Sequence, residues 1–206
     1  MVGAMTARDE CAAILREPVV DLDAFARRFE SAPHAERVAI TESIDRKGQE
    51  KLWEASRGGP VTIGQMVPPD LGPLREVVFH GKNSLPVFSR FQKRFCRPAA
   101  GIGRDELWGY NHQAMQPFTG PGYFVAYDSP GNPFGPVAID YTKTPTGRPD
   151  GWPEIHDNTY RLSRFIYNGT IDYMRRVSEH LLIGRATRAG NAMPNWFLLC
   201  REDPGR

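Results

Sequence analysis

The segment RFIYNGTIDYMRRVSEHLLIGRATRAGNAMPNWFLLCRE, residues 164–202, contains three apolar runs that are separated by short polar breaks. Runs of this length and spacing are typical of an antiparallel meander, in which each strand pairs with the next. In the first run, Ile171, Tyr173 and Val177 fall on one side of an alternating pattern, and Asp172 falls on the other. The pattern predicts a strand with one apolar face and one wet face.

A helix is the competing interpretation of this first run, because Ile171, Met174 and Leu181 also follow a helical stripe and Arg175 breaks the strand alternation. Flanking glycines and several β-branched residues favour the strand. The last run, residues 196–200, is apolar at every position, which indicates a strand that is covered on both faces. The predicted strands of the meander are residues 171–177, 181–188 and 195–202.

Composition sets limits on the class of protein. The 206 residues allow one domain, or one domain with a helical extension. The 26 basic and 24 acidic residues balance, so no overall field attracts nucleic acid. The cysteines, Cys11, Cys96 and Cys200, lie far apart without metal-type spacing, which favours a reducing compartment and predicts no metal site. No cofactor motif is found either. Without a signal-peptide pattern or a run of about 20 apolar residues, the sequence predicts a cytoplasmic protein with no membrane span.

The first 60 residues are predicted to form a helical extension that packs on the rest of the chain. Thr6 or Asp9 can cap a first helix, Asp21 a second, and Pro33 opens a third. A further helical segment reaches the Gly-Gly-Pro at residues 58–60. Short helices are marginal in isolation, so these either pack against the later sheet or mediate association with a second chain, such as a homodimer partner.

Residues 61–206 are predicted to form the second unit, an antiparallel β-barrel. Strand patterns separated by prolines and glycines recur through this part of the chain, and no helices alternate with them, which argues against a parallel α/β sheet and leaves a barrel or a sandwich. The additional predicted strands are residues 61–66, 75–80, 106–112, 123–128, 137–142 and 160–167. About eight strands with short sequential connections favour an up-and-down barrel, whose interior can hold one small ligand. The fold class is therefore α+β, mainly β, with short helices before the barrel.

Two segments of this second unit are predicted to be something other than strands. Residues 85–95 carry phenylalanines at helical spacing after Ser84, and we predict a helix there. The basic cluster Arg90, Lys93, Arg94 and Arg97 is interpreted as a solvated face. Residues 143–158 are predicted to form a long loop, which could cover the mouth of the barrel.

The closing segments IDYMRRVSEHLLIGRATR (residues 171–188) and WFLLCRE (residues 196–202) resemble the last strands of calycin-type, lipocalin-like bacterial barrels. The segments GPVAIDYTK (residues 135–143) and FHGKN (residues 79–83) are similar to earlier strands of such barrels. The resemblance implies a protein that binds a lipid or another small apolar molecule inside the barrel. In a minority of such relatives the same cavity holds an enzyme active site.

For the enzymatic alternative, a small-molecule isomerase-like or lyase-like activity, the acid–base candidates are His112, Asp140, Tyr141 and Tyr173. An inward His112 could act as a base. Alternation over residues 137–142 places Tyr141 on the apolar face and Asp140 on the other. These groups support catalysis only if at least two of them converge within hydrogen-bonding distance.

For the binding function, aromatic residues of the strands are predicted to line the cavity, and an arginine could anchor a polar end of the ligand. The predicted ligand-binding residues are Trp108, Tyr110, Tyr123, Tyr141, Tyr173 and Arg185. A third hypothesis, a protein-interaction unit, would use residues 6–57 to dock onto a partner chain. A barrel interior filled solid by its own side chains would contradict the binding hypothesis.

Overall fold

The computed structural model describes residues 5–86, 89–102, 105–113, 120–156, 158 and 168–203. Within these ranges the chain forms five α-helices, one short 3-10 turn and eight β-strands. The helices are α1 (Ala7–Arg16), α2 (Leu22–Glu30), α3 (His34–Ser43), α4 (Arg46–Ala55) and α5 (Ile63–Met66). The strands are β1 (Val77–Asn83), β2 (Arg90–Cys96), β3 (Glu106–His112), β4 (Phe124–Asp128), β5 (Val137–Asp140), β6 (Thr170–Arg176), β7 (Leu181–Arg188) and β8 (Asn191–Arg201).

The eight described strands close into a single antiparallel barrel, in which every strand pairs with its neighbours in the sequence and β8 pairs with β1. Closure removes the exposed strand edges that an open sheet would leave. The predicted fold class, an up-and-down barrel of about eight strands preceded by short helices, is confirmed. The predicted start of the meander, residues 160–167, lies outside the described residues.

The N-terminal helices begin where capping side chains satisfy their first backbone N–H groups. Thr6 and Asp9 form a capping box on α1, and the Asp21 carboxylate accepts from Ala24 N at 2.8 Å on α2. Pro33 and Asp45 precede α3 and α4. The four predicted helical segments are therefore present at the predicted positions.

Helices α1 to α4 lie on the outside of the barrel, over β7, β8 and β1. Phe25, Phe29 and Leu52 are fully buried there against outward-facing side chains of β7 and β8, such as Leu181 and Leu198. Burial of each large apolar side chain contributes about 1.5–3 kcal/mol. The boundary at residue 60 between a helical unit and a barrel unit stays a prediction.

Strand β8 shows how the barrel divides its side chains between interior and exterior. Phe197 and Leu199 face the interior, whereas Trp196, Leu198 and Cys200 face the helices, and all five are buried. Successive side chains of a strand point to opposite faces, so a run covered on both sides must be apolar throughout. The apolar run at residues 196–200 thus has the structure that the sequence indicates.

The two ends of the barrel differ. One end is plugged by α5, whose Ile63 and Met66 belong to the same buried cluster as the interior residues Phe79 and Leu182. The backbone N–H of Ile63 donates to the Asp128 carboxylate at 2.8 Å, which fixes α5 to the end of β4. We call the opposite end the mouth: it carries the β1–β2, β3–β4, β5–β6 and β7–β8 connections.

Two predicted elements have the wrong type. The described part of residues 85–95 contains no helix, because β2 occupies Arg90–Cys96 and directs Phe91 and Phe95 into the barrel. Phe88 lies outside the described residues. Residues 61–66 are not a strand: Thr62 and Gln65 form a capping box, and the segment becomes α5. In both cases the apolar spacing fits either period, and tertiary contacts decide between them.

The predicted faces of β6 are reversed. Asp172 and Met174 face the interior, and Tyr173 faces outward, opposite Arg185 of β7. Arg175, which breaks the alternation of apolar and polar residues in β6, also has a structural role. Its side chain points out of the barrel and is buried between the barrel wall and the segments that cover it. Its guanidinium stacks 3.7 Å from the centroid of the Trp53 ring and donates to the carbonyls of Trp53 and Phe134, both at 2.8 Å.

Candidate functional site

Lys93 lies inside the barrel, in the half that is nearer the mouth. On β2 it sits between Phe91 and Phe95, and it pairs across the strands with Phe79 and Asn111. Because directly opposed residues share a face, the interior position of Phe79 and Phe95 fixes that of Lys93. The residue is 2% exposed, which is rare for lysine unless it is paired.

Three acceptors from three different strands or loops surround the Lys93 ammonium. Its Nζ atom lies 3.2 Å from Oδ2 of Asp172 and 2.9 Å from Oδ1 of Asn111, and it also contacts the Tyr141 hydroxyl. Asn111 is held in turn, because its Nδ2 atom donates to Gly122 O at 3.0 Å. We call Lys93, Asn111, Tyr141 and Asp172 the interior polar cluster.

Four aromatic rings enclose this ammonium group. The distances from Lys93 Nζ to the ring centroids are 5.7 Å for Phe91, 5.1 Å for Phe124, 4.9 Å for Tyr141 and 5.2 Å for Phe197. A cation within about 6 Å of an aromatic face is attracted by the ring quadrupole, by about 2 kcal/mol or more when water is excluded. The rings therefore form an apolar, cation-stabilising cage around the polar cluster.

Three glycines make room for three of these rings. Gly81, Gly109 and Gly184 lie directly opposite Phe91, Phe124 and Phe197 on the neighbouring strands. A Cβ atom at these glycines would lie 2.6, 2.3 and 2.2 Å, respectively, from the nearest ring atom, far inside van der Waals contact. Each of these phenylalanine rings lies over a glycine of the neighbouring strand. The cage can form only because these glycines have no side chain.

Burial perturbs the two charged members of the cluster in opposite directions. Removal from water lowers the pKa of Lys93, and the nearby negative charge of Asp172 opposes part of this change. Burial likewise raises the pKa of Asp172, against the effect of Lys93 and of the hydrogen bond from Tyr141. Burial thus brings the pKa values of Lys93 and Asp172 closer together than they are in water, and perturbed pKa values of this kind occur often at functional sites.

The level of the barrel next to the plugged end is filled with apolar side chains. Phe79, Phe95, Leu107 and Ile139 are buried there almost completely. A separate cavity of about 340 Å³ lies between α5 and this end of the barrel. Its lining combines apolar residues with two arginines: Val61, Met66, Phe79, Leu182, Arg176 and Arg201. We call it the α5 cavity.

Among the four acid–base candidates, Tyr141 alone belongs to the interior polar cluster. Asp140 faces outward, where its carboxylate accepts from the Tyr127 hydroxyl at 3.1 Å and from the Thr142 backbone N–H at 2.9 Å. Tyr173 lies outside the barrel, and its ring stacks on that of Phe134 at 5.7 Å. His112 is exposed at the end of β3. The four candidates therefore do not converge on one point.

Five of the six predicted ligand-binding residues, Tyr173 among them, lie on the outer surface of the barrel. Trp108, Tyr110 and Tyr123 are buried beneath the segment around Trp152, whose ring lies 4.8 Å from that of Tyr110. Arg185 stacks over Trp196 at 5.2 Å and donates to Met193 O at 2.8 Å. In the described part of the loop at residues 143–158, Trp152 thus covers the barrel wall.

Lys93, Asn111 and Asp172 are the members of the cluster that are not among the candidates predicted from the sequence. Lys93 stands in a basic stretch whose charge pattern predicts a solvated face, and the phenylalanine spacing of residues 85–95 predicts a helix there. The available signal was the alternation of Phe91, Lys93 and Phe95, which places one cation on an otherwise aromatic strand face.

The fold and this interior define a closed, eight-stranded up-and-down barrel with a charged cluster in an aromatic cage, an architecture compatible with a calycin-like fold. No protein family, curated protein or solved structure matches the chain. In the part of the chain that the structure describes, every helix falls short of the length and hydropathy needed to cross a membrane.

Proposed function

We propose that the protein is a calycin-like binding protein for a small, largely apolar molecule that carries one polar oxygen-containing end. The interior polar cluster is the observation that carries this proposal. It supplies a cation, a carboxamide and a phenol at one point, and aromatic rings surround that point. Ligand sites of this kind combine an apolar lining with a few placed polar groups.

The ligand enters from the mouth in this proposal. Phe91, Asn83 and Ala186 are half-buried at the level between the cluster and the mouth, whereas the opposite level of the barrel is packed with side chains. The apolar body would lie against Phe91 and Phe197. Its carboxylate, carbonyl or hydroxyl oxygen would replace one of the three acceptors of Lys93, since the ammonium group has only three donors.

The energetics of buried ion pairs favour a binding role for Lys93 and Asp172. Replacing a buried ion pair by apolar residues of similar size is often neutral or stabilising, so Lys93 and Asp172 contribute little net stability to an empty barrel. A ligand oxygen that accepts from the charged amine contributes about 1.5–3 kcal/mol, which is roughly a 10–100-fold change in affinity. The pair therefore has more effect on ligand affinity than on folding.

The binding experiment uses cis-parinaric acid as a fluorescent probe, followed by displacement with other fatty acids and with uncharged alcohols. We expect the Lys93→Met/Asp172→Leu double variant to bind roughly 10–100-fold more weakly than the unaltered chain. The double variant is preferred because removal of Lys93 alone would leave a buried, unpaired carboxylate. Tyr141→Phe, which keeps the ring, is the second variant if the first does not fold.

Arg176→Met is the matched control, because Arg176 lines the α5 cavity at the other end of the barrel. We expect this variant to bind the probe as the unaltered protein does. If Arg176→Met abolishes binding and the Lys93 variants do not, the ligand occupies the α5 cavity and the proposed site is wrong. Absence of any saturable binding would contradict the proposed function as a whole.

An enzymatic or covalent function is the second candidate, and the convergence of Lys93, Tyr141 and Asp172 favours it. A lysine whose pKa is lowered by burial can present a neutral amine, which attacks carbonyl carbons. The Nζ lone pair would add to an aldehyde, and Asp172 or Tyr141 would deliver a proton to the carbonyl oxygen. The resulting carbinolamine would lose water to give an imine with Lys93.

Reductive trapping tests this second candidate. Decanal and cyanoborohydride would convert an imine at Lys93 into a stable secondary amine, whose added mass equals that of the aldehyde less one oxygen atom. We expect peptide mapping to find Lys93 modified faster than the exposed Lys143, and Tyr141→Phe to slow the reaction. Modification of Lys143 alone would exclude carbonyl chemistry at the cluster and leave non-covalent binding as the function.

Association as a homodimer and a cytoplasmic location also belong to this proposal. Cys11, Cys96 and Cys200 are free and buried, and burial raises the pKa of each thiol to about 12, which suits a reducing compartment. Light scattering of the purified chain, with and without residues 6–57, tests whether the helices mediate association.

A further inference from the structure

We propose that His34, His80 and Glu202 form a binding site for a divalent transition-metal ion, of which Zn²⁺ is the best match. One ligand atom from each of the three residues can be chosen so that all three lie within 4.8 Å of one another. Two imidazoles and one carboxylate are a recurrent donor set for zinc, with a fourth position left for water. This site lies outside the barrel and is independent of the interior polar cluster.

The three residues are far apart in the sequence, and the fold brings them together. His34 begins α3, His80 faces outward from β1, and Glu202 directly follows β8. The backbone N–H of Glu202 donates to Val78 O at 2.9 Å, which sets Glu202 two residues along β1 from His80. Because two of the three positions belong to one hydrogen-bonded pair of strands, much of the site is rigid before any ion binds.

His34 gives the second line of support. Its Nδ1 atom is buried and has no hydrogen-bond partner among the described residues. A buried nitrogen without a partner costs about 1–3 kcal/mol, so it calls for a specific explanation. The His34 ring lies 5.6 Å from that of His80, and no described carboxylate accepts a hydrogen bond from it. A metal ion between the two rings would satisfy this nitrogen.

The present geometry needs only a small adjustment. His80 Nε2 and Glu202 Oε1 are 2.7 Å apart and share a hydrogen bond, whereas two ligands of one zinc ion lie about 3.3–3.5 Å apart. The half-exposed Glu202 side chain can rotate by this amount. Metal binding would thus exchange one His–Glu hydrogen bond for three coordination bonds and would connect α3 to the barrel wall.

The neighbouring charges leave the site net favourable for a cation. Arg37 is a cationic side chain that acts electrostatically on His34, and its contacts with Asp203 and Glu30 offset its charge. His180 contacts the same two carboxylates rather than the proposed ligands. The sequence gives no sign of this site, because His34, His80 and Glu202 have no motif spacing and two of them meet only through the barrel closure between β8 and β1.

The test is titration of the full, tag-free chain with Zn²⁺ by calorimetry, and with Co²⁺ by visible absorption. We expect one site per chain, and a rise in Tm of about 5–10 °C when Zn²⁺ is at 100 times its Kd. His34→Ala and Glu202→Gln should each weaken the affinity by at least about 100-fold, because removal of residues that only support ligands already costs 10–100-fold.

His112→Ala is the matched control, since it removes an exposed histidine on another side of the barrel, and it should leave the affinity unchanged. Zn²⁺ affinity that is equal in all variants, or no binding by the unaltered chain, would overturn the proposal. His34→Ala removes a partly exposed side chain at a helix start, and far-UV circular dichroism checks that it folds. If it does not fold, the Glu202→Gln variant, which keeps the side-chain size, decides.

Discussion

Lys93→Met is expected to lower the free energy of unfolding by about 3–5 kcal/mol, because it leaves the Asp172 carboxylate buried without its cation. Asp172→Leu should cost a similar amount for the converse reason. For a chain of this length the loss corresponds to a decrease in Tm of roughly 6–20 °C. Urea unfolding followed by circular dichroism measures the free energies directly.

The double variant Lys93→Met/Asp172→Leu should recover most of this loss, since no unpaired charge remains in the barrel. The two substitutions are therefore strongly non-additive, with a coupling that exceeds the usual 0.5–3 kcal/mol between contacting residues. A double variant that loses as much as the sum of both single variants would contradict this account. It would mean that packing, rather than charge, determines the cost at these positions.

The pH dependence of the single variants gives a second check, and its sign follows from the perturbed pKa values. Burial raises the pKa of Asp172, so the folded state holds this proton more tightly than the unfolded state does. The defect of Lys93→Met should therefore diminish as the pH is lowered from 8 to 5. Burial lowers the pKa of Lys93, and the defect of Asp172→Leu should diminish as the pH is raised from 7 to 9.

Much of the barrel could be predicted from the sequence because its main signals are local. Two kinds of signal depend only on residues that are close in the sequence: the helix caps at Thr6 and Asp21, and the run at residues 196–200 that is apolar at every position. Both can therefore be recognised without tertiary structure. Most of the strands are joined by short connections, which favour pairing of neighbours in the sequence; β5 and β6 pair as well, although residues 141–169 separate them. Sequential pairing then leaves an up-and-down barrel as the solution without free edges.

The interior polar cluster could not be predicted in the same way, because its members come from β2, β3, β6 and the residue after β5. Lys93 becomes distinctive only when closure of the barrel surrounds it with Phe124 and Phe197. Charged residues in a sequence usually lie on a solvent-exposed face. A single lysine that points inward therefore cannot be distinguished from the exposed ones by its sequence alone. The same rule reversed the predicted faces of β6, where Asp172 was assigned to the wet side.

The outward position of Trp108, Tyr110 and Tyr123 has a related cause. A barrel wall that is covered by helices on one side and by the Trp152 segment on the other has two apolar faces over much of its circumference. Aromatic content then no longer distinguishes interior from exterior, because both faces are buried. Interior and exterior residues are distinguished by the cross-strand pairs, such as Gly109 with Phe124. These pairs are known only from the structure.

Phe124→Ala is expected to cost about 3–5 kcal/mol, because the ring is fully buried and packs against Phe95, Tyr141 and the Lys93 ammonium. Gly109→Ala alone should cost about 1–3 kcal/mol, because its new Cβ would lie 2.3 Å from the Phe124 ring. Chemical denaturation of both single variants measures these losses. Gly64→Ala, whose Cβ would meet only Thr62 Oγ1 at 3.6 Å, is the control and should not destabilise the chain.

Two double variants test whether a Cβ atom added at the glycine clashes with the opposite phenylalanine ring or with the backbone. In Gly184→Ala/Phe197→Ala the new methyl group occupies space that the ring has left, and its remaining close neighbour is the flexible Met174 side chain. The second substitution should therefore add almost nothing to the loss from the first. In Gly109→Ala/Phe124→Ala the new Cβ still lies 2.6 Å from the Arg94 carbonyl oxygen, so part of the cost must persist. Equal rescue at both positions would show that the barrel wall itself shifts, and would contradict a cage whose shape is fixed by glycines opposite phenylalanines.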